Sequence, residues 1–170
     1  MMVKCSMSGT QNPTSSISVV PQPRLATYRD IPAIIELVNG YAQEGIMLPL
    51  SMEQVNHQLS GYWVVGEVFA IVGCGALKNW GDGSMEVRAL AVNRNCHGKR
   101  IGHALVNAVS QEAVKLGARI LFALTLEPEF FLRQGFVMAQ PDAFPRKVAM
   151  DCGSCLRKAN CRELTVAKYF

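Results

Sequence analysis

The sequence contains no apolar run approaching the roughly 20 residues needed to cross a bilayer, so no membrane partner is expected. Its 17 Lys and Arg residues are not gathered into a tract, and a net charge of +4 is too mild to imply nucleic acid, although it suits an anionic small ligand. The six cysteines (5, 74, 96, 152, 155 and 161) lack the look of a disulfide framework, because an aliphatic core makes one unnecessary. A reducing cytoplasm is the simplest setting. No acidic residue precedes Asp30, and residues 1–23 are rich in Ser, Thr and Pro without the apolar segment of a secretory signal. A disordered tail over 1–23 is expected, with an Arg-poor transit peptide as the alternative. At 170 residues the chain is long enough for one domain with a core, over 24–170, and too short for two.

Hydrophobic periodicity supplies the elements. "RDIPAIIELVNGYAQEG" places Asp30 as an N-cap, Pro32 in the first turn and Ile31, Ile34, Ile35 and Val38 at helical spacing. Ser51 and Gln54 form a capping-box pair that predicts a second, short helix. "YWVVGEVFAIVGCGALKNW" reads as a strand pair and "SMEVRALAV" as another strand. Residues 98–116 put Ile101, Leu105, Val109, Ala113 and Leu116 on one helical face, closed by Gly117. "ARILFALT" and "FVMAQ" read as strands around a short helix opened by Pro128, and "ELTVAKYF" as the last strand. The order predicts a mixed α/β domain with a largely antiparallel N-terminal half. "GCGALK" lacks the third glycine and following helix of a dinucleotide fingerprint, so its glycines are expected at a bulge or a close contact.

Between strand and helix lies "HGKRIG", residues 97–102. A strand that feeds a glycine-containing loop at a helix N-terminus leaves several N–H groups pointing one way, and with the helix dipole these suit a phosphate. Gly98 and Gly102 would permit close approach, and Lys99 and Arg100 would add charge. The plainer alternative is a loop with packing glycines and solvated basic side chains.

"EVRALAVNRNCHGKRIGHALV" followed by "LFALTLEPEFFLRQGF" resembles the acetyl-CoA-binding core of the GNAT acyltransferases, in which Q/R-x-x-G-x-G/A binds the pyrophosphate through backbone amides. Here His97 replaces the first Gln/Arg and Arg100 the middle Gly. The resemblance implies a GNAT fold, a mixed central sheet with a splayed fourth strand and flanking helices, and acetyl-CoA as co-substrate. Its coenzyme contacts would be Leu90, Ala91, Val92, His97, Gly98, Lys99, Arg100, Ile101, Gly102, His103 and Phe131. "DIPAIIELVNGYAQEGIMLPLS", "VGCGAL", "EVRALAV", "LFALTLEPEFFLRQGF" and "DCGSCLRKANCRE" are further similar to the short N-acetylglutamate synthases of arginine biosynthesis. These often carry a basic residue where this chain has Leu50, which bears on the identity of the amino acid.

The same resemblance implies roles. Glu86 would be the general base, acting through water, since a desolvated carboxylate suits that task; a contact to the substrate amine and a structural strand pair are the alternatives. By strand alternation Arg88 shares its face and could hold a substrate carboxylate bidentately, or simply pair with Glu86. The Leu90 amide would polarise the acetyl carbonyl and the Val92 amide would hold pantetheine. Phe131 stands where many relatives carry a Tyr general acid. Cys152, Cys155 and Cys161 lack a fourth ligand for zinc, so no metal is expected; they read as reduced thiols packing a loop that the resemblance places near the acceptor pocket, with a C-x-x-C redox switch as the alternative.

These readings converge on acetyl transfer to the α-amine of a small amino acid, glutamate first. Another amine (a different amino acid, a polyamine, a protein N-terminus) is the enzymic alternative, and a non-catalytic acyl-CoA sensor the rival. A homodimer is left open.

Overall fold

The computed structural model describes residues 22–155 and 157–170; the tail expected over 1–23 lies, up to residue 21, outside them. Its main elements are β1 (Arg24–Leu25), α1 (Ile31–Gln43), α2 (Met52–His57), β2 (Tyr62–Glu67), β3 (Ala70–Asn79), β4 (Ser84–Val92), α3 (Ile101–Lys115), β5 (Ile120–Thr125), α4 (Pro128–Leu132), β6 (Val137–Ala139), α5 (Pro145–Lys147) and β7 (Leu164–Tyr169). Strand order is β1-β2-β3-β4-β5-β7-β6. Two units emerge: residues up to 74 with Leu90–Leu105, and Gly75–Ala89 with Val106–Phe170.

In the first unit α1 buries Ile31, Ile34 and Val38 of the face its spacing predicts, while Ile35 is only half-buried. Asp30 does not cap that helix through its side chain. It is fully buried, takes a bidentate pair from Arg24 at 2.7 and 2.8 Å, and accepts from the Thr27 amide and hydroxyl. The expected Ser51–Gln54 capping box does form on α2. Val65, Cys96, Ile101 and Leu105 make a core against Trp63, Val72, Leu90 and Val92. Gly73 explains the "GCGALK" glycines in part: a Cβ there would stand 2.7 Å from Ile101 Cγ2 and 3.1 Å from Leu105 Cδ1.

In the second unit β5 pairs antiparallel with β7 over six rows, and β6 adds to the other edge of β7. β4 runs parallel to β5 from Ser84↔Ile120 to Glu86↔Phe122, while β5 stays paired with β7 as far as Thr125. The core here is Trp80, Phe122, Phe144 and Ala167, with Phe122 and Phe144 stacked at 3.9 Å between centroids. Gly117 (φ +78°) ends α3 in a Schellman turn, with Ala118 N donating to Ala113 O and Gly117 N to Val114 O. Leu116, expected on the buried face, lies beyond the last helical residue and is 56% exposed.

Candidate functional site

The chain leaves β4 at Val92, makes a tight turn over Arg94–Cys96, and enters α3 at Ile101. The helix starts three residues later than its periodicity predicts, because Gly98 (φ +78°) and Arg100 (φ +60°) are both left-handed. The amide of Ala104 bonds back to Arg100 O at 3.0 Å. Helix starts as a rule leave amides without an intrahelical partner, and Lys99 and Arg100, just before this one, are exposed. This composition fits an anion such as the coenzyme pyrophosphate.

Parts of the expected cradle are used otherwise. The amide of His97 bonds to Arg94 O (3.2 Å) and that of Lys99 to Cys96 O (3.4 Å), so both serve the loop itself. The Ala91 amide bonds to Cys74, whose buried thiol is pushed up to about 12 by that burial. The Asn93 amide reaches Val72 O on β3 at 2.8 Å. Amides alternate along a strand, so those of Leu90 and Val92 face away from β3, the side an added strand would need. The Val92 carbonyl accepts from Tyr41 Oη at 2.5 Å and lies 3.0 Å from His97 Nε2. His97 is thus drawn back to the strand end. Tyr41 had no sequence signal, being one more aromatic on an amphipathic helix.

In the second unit Glu86 is 3% exposed and makes three polar contacts. Lys147 Nζ lies 2.7 Å from Oε1, Trp80 Nε1 donates to Oε2 at 3.2 Å, and Arg88 Nε stands 3.8 Å from Oε2. Arg88 shares the face of Glu86, as alternation requires. Its surroundings are charged. Asp151 extends the group, pairing with Lys147 (3.0 Å), Arg88 (3.2 Å) and Lys78 (3.5 Å). Burial acts to raise the Asp151 carboxyl, but the Lys147 hydrogen bond and the charges of Lys147, Arg88 and Lys78 leave it below its ordinary value. Burial, helped by the Arg88 charge, lowers the Lys78 ammonium, which sits 3.7 Å above the Trp80 ring. Three cations thus face two carboxylates, an excess of one positive charge.

Lys147 and Asp151 escaped the sequence reading. Their one signal is the i, i+4 spacing in "KVAMD", inside a stretch legible only as a Pro- and Cys-containing connection. Phe131 is buried, edge-on to Phe130 and Phe136, and carries no proton to give. Burial raises the Cys152 thiol, with Cys161 and Cys155 near enough to add to the effect. Among the described residues no group of three or more His, Cys, Asp or Glu side chains is placed to hold a metal ion. No helix is long and apolar enough to cross a membrane, among the described residues.

The profile of the acetyltransferase (GNAT) family matches residues 32–136. An uncharacterised N-acetyltransferase of Chlorobaculum tepidum is 32% identical over 145 residues, 85% of this chain and 94% of that protein. The amino-acid acetyltransferase of Mycobacterium tuberculosis is 37% identical over 119 residues, 68% of each chain. Against longer relatives, such as the amino-acid acetyltransferase of Pasteurella multocida, the chain spans 29% of the relative's length. Among solved structures, N-acetylglutamate synthase from Neisseria gonorrhoeae, complexed with coenzyme A and N-acetyl-glutamate, superposes with a TM-score of 0.76 at 26% identity, over 87% of this chain and 34% of that one. The strand-to-helix cradle, the mixed sheet and these relatives agree: the chain belongs to the acetyltransferase (GNAT) family and is an N-acetyltransferase that uses acetyl-CoA.

Proposed function

We propose that the protein transfers the acetyl group of acetyl-CoA to the α-amine of a small amino acid, glutamate first, as in the opening step of arginine biosynthesis. The observation that carries this reading is the excess cation among Lys78, Arg88 and Lys147 around Glu86 and Asp151. An amino acid brings at least one carboxylate and one amine, and this group offers both signs of charge on adjacent side chains. A polyamine, by contrast, would meet net positive charge. The amino-acid acetyltransferases and the N-acetylglutamate synthase among the relatives support the same class.

When bound, acetyl-CoA supplies the activated acetyl group and a thiolate able to leave. The first turn of α3, with Gly98, Lys99, Arg100, Ile101, Gly102 and His103, holds its phosphates. The Val92 amide holds pantetheine and the Leu90 amide donates to the acetyl oxygen. Glu86 takes the amine proton through a water molecule. A second reading follows from the 2.7 Å Lys147 contact: Glu86, already engaged on both oxygens, organises the acceptor pocket.

The test is CoA release measured against the twenty amino acids, repeated with Glu86→Gln. The proposal requires turnover with an acidic amino acid above all others. Loss of kcat by about 10²- to 10⁴-fold, with acetyl-CoA affinity unchanged, marks Glu86 as the base. A raised amino-acid KM with kcat retained marks it as the pocket's organiser. Release with polyamines and none with amino acids overturns the substrate class.

A further inference from the structure

Strand β4 ends in a carbonyl that two side chains hold at once. Tyr41 Oη donates to Val92 O at 2.5 Å, and His97 Nε2 lies 3.0 Å from that oxygen and 3.1 Å from Tyr41 Oη. The protons can be placed from donor chemistry alone. A carbonyl has none to give, so the short contact requires the phenol proton on the line to Val92. The Tyr41 oxygen can then only accept from His97, and so can the carbonyl, so Nε2 carries a hydrogen shared between the two. Burial raises the Tyr41 phenol above its ordinary value, which keeps that proton in place. Arg94 closes the arrangement, lying 4.8 Å above the Tyr41 ring and pairing with Glu44, the residue just past α1. One knot therefore ties α1, the last residue of β4 and the first residue of the cradle.

We propose that Tyr41 and His97 are positioning residues for the coenzyme: by sharing the Val92 carbonyl they fix how the chain leaves β4 and enters the phosphate cradle. The inference rests on the cradle reading given under Proposed function. Neither residue touches the reacting atoms. The backbone between Val92 and Ile101 needs such a hold. It contains two left-handed residues, and the bonds from the His97 and Lys99 amides, at 3.2 and 3.4 Å, lie at the long end of the range. Pantetheine and pyrophosphate are covalently joined, so a ligand gripped at both ends pays for any drift in the spacing between the Val92 amide and the first turn of α3.

The experiment is acetyl-CoA calorimetry with steady-state kinetics and thermal melts on the wild type, Tyr41→Phe, His97→Leu and His97→Gln. Losing one shared hydrogen bond should raise the acetyl-CoA Kd and KM about threefold to tenfold in Tyr41→Phe and in His97→Leu. kcat should stay within about twofold. His97→Gln restores an N–H donor and should return Kd to within about twofold of wild type. The Tyr41→Phe/His97→Leu double variant should lose less than the two singles combined, because they share one acceptor. A residue that only supports the fold would lower the melting temperature and show no rescue of Kd by Gln. Wild-type Kd in both single variants, or a fall in kcat at unchanged Kd, overturns the proposal. Exposed His97 decides the matter if Tyr41→Phe fails to fold. A wild type that gives no heat with acetyl-CoA sinks the cradle reading itself, whereas binding unaffected by the variants sinks the positioning role alone.

Discussion

Arg100 occupies the left-handed region at φ +60°, where a side chain costs roughly 1 kcal/mol or more and glycine nothing. Its place in the family pattern is a glycine, so this chain carries a cation where the pattern has relaxed backbone. The ordinary stability order of Ala over Gly should therefore reverse here. Arg100→Gly should exceed Arg100→Ala by about 1 kcal/mol in denaturant melts, and Ala equal to or above Gly would refute the strain. Asp30 poses a second residue-scale question. The Arg24 hydrogen bond, against the opposing effect of burial and aided by Thr27, holds its carboxyl down at about 2, from 3.8. A folded value below the unfolded one means the stabilisation is complete above pH 4 and is lost as pH falls through 2. Part-exposed Arg24 screens the pair, so its worth is about 1–2 kcal/mol. The stability gap between wild type and Asp30→Asn should be widest at pH 6 and close by pH 2. A gap that holds constant across that range would show that Asp30 stabilises without its charge.

At the scale of elements, the close approach of β3 to the start of α3 sets how the cradle is built. Ile101 and Leu105 are at most 1% exposed and cannot move aside for a Cβ at residue 73. Gly73→Ala should cost about 1–3 kcal/mol by overpacking. It should also weaken acetyl-CoA binding, because the displaced residue is the first of α3. Melts showing a lower midpoint at unchanged slope, with calorimetry on the folded protein, check both parts; wild-type binding would mean α3 absorbs the change without moving its amides. Strand β4 carries its own irregularity, Ala89 at φ +48°. Nothing in "SMEVRALAV" announces it, since alanine has no preference for that region, and it stands between Glu86 and Leu90 on the strand that supplies both. Most elements were legible because one face of each is buried: the α1 stripe, the α3 stripe as far as Ala113, and the Ser51 capping box all follow from local spacing. β1 was missed because two residues cannot show a period.

For the whole molecule, the sequence alone determined the family and most of the element order, and it marked the strand-to-helix turn at 97–102 as the candidate for phosphate binding. Those features rest on spacing between neighbours: alternation along β4, helical repeats in α3, and a glycine and two basic residues where strand meets helix. It also put Arg88 on the face of Glu86, because residues i and i+2 of a strand share a side. What only the tertiary structure decided is what those groups meet. Lys147 and Asp151 come to Glu86 and Arg88 from a connection with no readable periodicity, and give them a charged setting. Tyr41 reaches the Val92 carbonyl across 51 residues and His97 across 56, and nothing in "NGYAQ" distinguishes that phenol from a packing aromatic. The physical reason is the same in each case. Local spacing fixes which way a side chain points, but its partners are set by chain closure over long separations, where hydrogen-bond donors and charges find the acceptors that burial would otherwise leave unpaired.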